Sequence, residues 1–448
     1  MAREASGSLE SLRARNRARA LAVLQARGAA SQADIVRETG LSRTTVSSLV
    51  ADLLEEGLVV ERSDGARQAP SPSGGRPATL LTIEPSSGGF AGIDFGREVV
   101  RVAVANRAGE LLLEARSERL EVAHQAQEAL TAAARMLSEL LSEAELAPDW
   151  LLGAGVAVSA PVPSDSPGFA SGVIFPAWAQ INVDELLAER LGMPVHLDND
   201  ANLGALAEAT FGAGTSARNI LYVMLSEGIG GAVIIDGQIY RGQTGAAGEL
   251  GHIVVNPDGQ VCRCGNRGCL ATVAGGAALT AALRQTHGPE VTLDELIALS
   301  RGADPGAARL IADAGQAVGR VLAGLCSLLD PALVIIGGEL APAGEPLLGS
   351  VRDSLDRWSS PASGHKYRVV LGELGAKAEV LGAIALAMGH VAEHILDPNS
   401  KTSAMPAERR SSRSGKATAE PRPTTGRRAK DRPADSAPAG ATRPRPLR

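Results

Sequence analysis

The clearest chemistry in this chain lies in three cysteines and a histidine. His252 is followed by Cys262, Cys264 and Cys269, the last three spaced as Cys-Arg-Cys-Gly-Asn-Arg-Gly-Cys. Three thiolates and an imidazole form the donor set of a four-coordinate structural zinc site, and no ligand position is left for a reacting water. Gly265 and Gly268 let the chain bend tightly around an ion. The expected cofactor is therefore a structural Zn2+; free thiols or a disulfide are the competing reading of the same residues. Cys326 stands apart among Val321, Leu322, Leu325, Leu328 and Leu329 and reads as inert core.

A second set of residues suits nucleic acid. Ser42 is placed to cap a helix in which Val46, Leu49, Val50, Leu53 and Leu54 fall on one apolar stripe. The other face offers Arg43, Thr44, Thr45, Ser47 and Ser48 near the helix start. Small hydroxyls and one arginine at that end fit a major groove, where the first turns of a recognition helix touch base edges.

The flanking elements are those that would position such a helix. Ser31 and Asp34 have capping-box spacing and open a helix ending near Thr39, and Gly40 supplies the turn between two crossing helices. After Gly57, residues 58–62 read as a strand, with residues 78–83 returning beside it. That hairpin is a wing, and its Gly74-Gly75-Arg76-Pro77 tip would put Arg76 into a minor groove or on phosphate. Residues 8–83 thus read as an α+β winged helix-turn-helix domain whose partner is a double-stranded DNA operator; a small helical bundle making only protein contacts is the competing reading.

Charge supports a local DNA contact. The net charge is −6, but residues 399–448 carry thirteen Lys or Arg against four acids, leaving the rest of the chain strongly acidic. An acidic body repels DNA, so contact must be confined to basic patches near the ends. No run of about 20 apolar residues is present, so no transmembrane helix is expected. With neither a signal peptide nor a disulfide framework visible, the expected location is the cytoplasm, at the nucleoid.

At 448 residues, 44% hydrophobic and 2% aromatic, the chain should fold as more than one unit with aliphatic cores. Between 88 and 396, strand patterns at 99–105, 152–158, 220–225, 231–235 and 333–336 alternate with helical ones near 122–145, 184–191, 201–211, 306–329 and 378–396, as in a mixed α/β body. Residues 399–448 lack large apolar side chains and are expected to form a disordered basic tail. Such a tail is either a solvated extension or a nonspecific phosphate contact.

Gly248-Glu249-Leu250-Gly251-His252, followed by the cysteine motif, resembles the signature of the ROK family of repressors, open reading frames and sugar kinases. Leu197-Asp198-Asn199-Asp200-Ala201-Asn202 and Ser226 to Gly231 are similar to two further family motifs in the expected order. A preceding winged helix is the arrangement of the family's repressor branch. The resemblance implies an α/β, two-lobed, actin-like or hexokinase-type (ribonuclease H-like) body with a sugar site facing Asn199, Asp200, Glu249 and His252. His252 would serve zinc with one ring nitrogen and a sugar hydroxyl with the other. In a kinase Asp200 would be the general base; here it is expected to be vestigial.

Three departures from the family pattern bear on function. The kinases open their first lobe with Asp-x-Gly-Gly-Thr-Lys, whereas this chain has Asp94-Phe95-Gly96-Arg97-Glu98-Val99. A second phosphate turn, usually Gly-Thr-Gly, reads Ser226-Glu227-Gly228. Glu98 and Glu227 would repel a triphosphate. Where the family commonly places a sugar-binding Glu after the last cysteine, Ala271 stands, removing one charged acceptor. The expected function is a sugar-responsive transcriptional repressor, a homodimer or homotetramer without enzymatic activity, that senses a sugar or sugar derivative. A sugar kinase with an added domain and a ligand-independent DNA-binding protein are the alternatives.

Overall fold

The computed structural model describes residues 27–62, 79–163, 176–178, 181–302, 304–360 and 366–396, with residues 13, 16–17, 19–21 and 23–24 before them. The wing tip with Arg76, and the expected tail at 399–448, lie outside the described residues.

The head forms by local rules. Ser31 accepts from the Asp34 amide while the Asp34 carboxylate takes the Ser31 amide, so the expected capping box opens α1 (Gln32–Thr39). The Ser31 hydroxyl, donating at 2.6 Å, and then the Ser31 amide hold the Asp34 carboxyl down at about 2. Gly40 ends the helix at a φ of 67°. Ser42 then caps α2 (Arg43–Glu55) through the Thr45 amide at 3.1 Å. Val46, Leu49, Val50 and Leu53 are buried as the stripe requires, whereas Leu54 is only half-buried at its margin. Strands β1 (Ala30–Ser31), β2 (Val59–Arg62) and β3 (Leu80–Ile83) make an antiparallel sheet in the order β1-β3-β2. Leu24, Ile35, Val46, Val50, Leu53, Val59, Leu81 and Ile83 close one small core between sheet and helices.

The body contains two sheets of the same topology. In the first lobe β4 (Gly89–Phe95), β5 (Val100–Asn106), β6 (Leu111–Arg116), β7 (Leu151–Val158) and β8 (Val195–Asn199) lie in the order β6-β5-β4-β7-β8. In the second, β9 (Ile220–Leu225), β10 (Ile229–Ile235), β11 (Gln238–Ile239), β12 (Leu333–Gly337) and β13 (Val369–Leu371) lie as β11-β10-β9-β12-β13. Each sheet runs three strands antiparallel and adds two parallel ones.

The central strands are buried on both faces, as helix-covered sheets require. Helix α3 (Ala126–Glu143) covers the outer face of the first sheet. Helix α4 (Asp200–Phe211) is buried almost all round, because it packs against α5 (Ala378–Leu396) and against the second sheet. The long helix α6 (Pro305–Leu329) pairs with α7 (Glu345–Trp358) over the outer face of the second sheet. Both new strand ends and loops therefore converge on a cleft between the lobes, and α4 begins at its wall.

Candidate functional site

The cleft has a volume of about 470 Å³ and takes wall residues from both lobes, including Asp94, Arg97, Asn199, Asp200, Glu227, Glu249 and His252. That size falls within the range of small-molecule sites. Three of its features come from strand ends and one helix start. Antiparallel register sets Asp94 on β4 opposite Arg101 on β5, and the guanidinium reaches the carboxylate at 3.3 Å. Burial pushes the Asp94 carboxyl up, Arg101 opposes this, and the Asp200 charge adds to it.

Asn199 and Asp200 stand where β8 turns into α4. The Asn199 carbonyl accepts from the Ala201 and Asn202 amides at 3.0 and 3.3 Å, so it caps the helix. Its amide donates to the Ala160 carbonyl at 3.3 Å. Asp200, 7% exposed, accepts the Ala201 amide at 2.8 Å. Burial raises its pKa first of all, while hydrogen bonds from Ser159 and Ala201 oppose the rise. Beneath it the buried Asp198 accepts the Asn199 amide at 2.7 Å and Asn202 Nδ2 at 2.9 Å, and takes Arg241 at 2.5–2.9 Å. Asp198 therefore fixes the turn, and Asp200 is the carboxylate left facing the cleft.

Glu249 and His252 enter from the second lobe. His252 Nε2 lies 3.8 Å from Glu249 Oε2, while Nδ1 on the other side of the ring lies 3.5 Å from Cys262 Sγ. Burial and the Arg263 charge both lower the His252 pKa, favouring the neutral imidazole that a metal ligand needs. Burial, then the Asp200 charge, raise the Glu249 pKa.

The knot beside them brings His252, Cys262, Cys264 and Cys269 together, their ligand atoms all within 4.8 Å of one another. Cys264 Sγ and Cys269 Sγ are 3.6 Å apart. For a tetrahedral zinc with bonds of about 2.3 Å to sulfur and 2.0–2.1 Å to nitrogen, the edges come to roughly 3.8 Å between sulfurs and 3.5 Å between sulfur and nitrogen. The residues present therefore fit such an ion. Burial and the neighbouring thiols push the Cys269 thiol up, a cost that a divalent cation removes by binding thiolate. Gly268 is required here: its φ is 69°, and a Cβ would fall 1.5 Å from the Asn256 carbonyl oxygen.

At the other end of the cleft the two altered turns meet. Arg97 of the first lobe pairs with Glu227 of the second at 2.9 Å, and Glu98 pairs with Arg119. The two acids therefore do not stand as bare charges, as their sequence positions alone suggested. Each has an arginine, and one of those pairs bridges the lobes where the family's phosphate turns would face each other. Sequence spacing also missed Arg101, Arg263, Glu339 and Glu379, which line the same cleft. Arg263 had one available signal, since it sits between two of the predicted ligands.

In the head, Arg43, Thr44, Ser47 and Ser48 are exposed on one side of α2, and Thr45 is half-buried. The Thr44 and Thr45 hydroxyls are each 2.8 Å from Ser42 Oγ, so both are drawn into the cap. Arg43, Ser47 and Ser48 present the freest polar ends on this face. Among the described residues no helix is long and apolar enough to cross a membrane.

A DNA-binding type of head and a two-lobed, hexokinase-type body thus share one chain. The body's model match extends over residues 90–390, and the chain belongs to the ROK family. The head matches the MarR family over residues 14–69. The chain is 30% identical to the xylose repressor of Bacillus spizizenii over 370 residues, 82% of this chain and 92% of that one. A solved ROK family transcriptional regulator, a homologue of the E. coli MLC protein, has the same fold with a TM-score of 0.70 at 24% identity, covering 86% of this chain and 98% of its own. The ROK glucokinase of Streptomyces griseus, solved with glucose and AMPPNP, is 27% identical with a TM-score of 0.61, over 67% of this chain and all of its own.

Proposed function

We propose that this protein is a transcriptional repressor whose hold on operator DNA is set by a sugar bound between the lobes. The observation that carries this reading is the Arg97–Glu227 pair at 2.9 Å, which joins the lobes at the phosphate end while Asp200, Glu249 and His252 line the sugar end. Sugar hydroxyls need convergent donors and acceptors on a rigid frame. Asp200 and Glu249 supply acceptors, Asn199 a donor, and His252 its Nε2. Arg43, Ser47 and Ser48 would read base edges, with Thr44 and Thr45 nearer the cap and Arg76 reaching the backbone or minor groove from the wing.

Residues His252, Cys262, Cys264 and Cys269 would hold a structural zinc, which when bound supplies a rigid charged anchor. The knot then fixes the ring of His252 relative to Glu249. A homodimer or homotetramer acting in the cytoplasm, at the nucleoid, would place two heads on successive half-sites, so that a small change between lobes becomes a large loss of DNA affinity.

D-xylose and D-glucose are the first sugars to try, since both are named with proteins to which this chain is similar. Operator fragments selected from genomic DNA should be bound in fluorescence anisotropy at fixed salt, and one of a panel of monosaccharides should weaken that binding. If none alters affinity, the sensor half of the proposal fails. Retention of Asp94 and Asp200 favours a sugar kinase as the second reading; it requires sugar-dependent ADP release that disappears in Asp200→Asn.

A further inference from the structure

Three elements that start at the cleft end against one turn of the body, residues 106–109 between β5 and β6. Strand β5 carries Arg101, at the cleft, near its start and leads directly into the turn. Helix α4 starts with Asp200 and ends at Phe211, which lies 2.9 Å from where a Cβ on Gly109 would stand. Helix α5 has Glu379 at the cleft in its first turn, and about two and a half helical turns later Met388 lies 3.2 Å from the same point. The ends of the Phe211 and Met388 side chains thus lie against the turn at Gly109, so movement of either helix reaches it.

The turn is stiff. The buried Asn106 accepts the Ala108 and Glu110 amides at 3.0 Å each and donates to the Glu110 carboxylate at 2.8 Å. Its tip faces the head: Ala108 packs on the head's apolar core. Arg107 is half-buried, and its charge interacts with Arg17 and with Glu56, the residue that ends the recognition helix. Glu56 is itself paired with Arg17.

We propose that residues 106–109 are the relay through which the state of the cleft reaches the recognition helix. Lobe movement at Arg101, Asp200 and Glu379 shifts β5, α4 and α5 together, and the stiff turn passes the shift to Ala108 and Arg107. These change how the head's core and the Arg17–Glu56 end of α2 sit, and so the angle at which Arg43, Ser47 and Ser48 meet the groove. The relay rests on the repressor reading above, because it needs a sugar-driven change to transmit.

The test separates the two ideas. Operator affinity is measured with and without saturating D-xylose, and again with D-glucose, for the parent, Arg107→Ala and Ala108→Gly, and sugar binding is followed independently by thermal shift. A parent that loses operator affinity by roughly tenfold on adding sugar is the scale expected of such coupling. Both variants should keep the sugar thermal shift and the sugar-free operator affinity, while their sugar response falls below about twofold. Ala108→Gly removes only a methyl group and covers the case in which Arg107→Ala unsettles the head. A responsive parent with equally responsive variants overturns the relay alone. A parent that ignores both sugars overturns the repressor reading for them, and the relay with it.

Discussion

The two ends of the cleft have diverged. At the sugar end Asn199, Asp200, Glu249 and His252 stand at the wall, with Asp198 and the cysteine knot holding them in place. At the phosphate end small residues have given way to Arg97, Glu98 and Glu227, and the new charges have found partners. In the reading proposed above, polar groups are kept where a sugar would sit, while the small residues of a phosphate turn are lost at the other end. A cleft of this kind is suited to reporting a ligand rather than converting it.

The largest effect should follow removal of the knot. Cys269→Ser, or prolonged chelation, should reduce bound zinc from one ion per chain to well below that by elemental analysis, and abolish the sugar-induced thermal shift because His252 loses its fixed orientation. Retention of that shift in metal-free protein would detach the knot from sensing. Next in size is Asp200→Asn. Loss of a charged acceptor should weaken sugar binding by about tenfold to a hundredfold in calorimetry, at roughly 1.5–3 kcal/mol.

A smaller change is expected from opening the other end. The Arg97–Glu227 pair is partly exposed, 43% and 39%, so its loss should alter stability by no more than about 1 kcal/mol. Yet Arg97→Gly with Glu227→Thr should create a thermal shift with magnesium AMPPNP that the parent lacks. A shift already present in the parent would erase the contrast between the two ends.

A separate effect concerns pH. Burial, then the Asp94 charge, push the Glu379 carboxyl up from 4.5 to about 8. A carboxyl raised in the folded state binds more protons there than when unfolded, so its charge costs stability progressively as pH rises from about 5 to 8. Glu379→Gln should therefore raise the melting temperature, with a larger gain at pH 8 than at pH 5. An equal gain at both values would mean that titration is not the cause.

What was legible in the sequence was local. The Ser31–Asp34 capping box, the Gly40 turn and the apolar stripe of α2 each span a few residues and read correctly. The four knot residues span only 18 positions, and the motif with its two glycines can fold back on itself. Strand β4 was missed, although it is the centre of its sheet, because Gly89 and Gly92 suppress a strand pattern. The neighbouring Gly155 explains why such residues occur: a Cβ there would lie 1.8 Å from the Ala383 carbonyl oxygen, so helix α5 can press on the sheet only over glycine. Helix α7 also went unread, and β8 was hidden within the Asn199–Asp200 motif.

The site was legible in its parts and illegible in its pairings. Arg97 and Glu227 each departed visibly from the family pattern, but 130 positions separate them, and only the fold places one across from the other. Glu379 carried no signal at all, since its place at the cleft comes from where α5 begins.

The most direct test of a cleft that senses without transferring is sugar-driven release of operator DNA, run in parallel with and without magnesium ATP while ADP is assayed. Release at the same sugar concentration in both, with no sugar-dependent ADP, is the expected result. Release that requires ATP, or sustained ADP formation that Asp200→Asn abolishes, would contradict it.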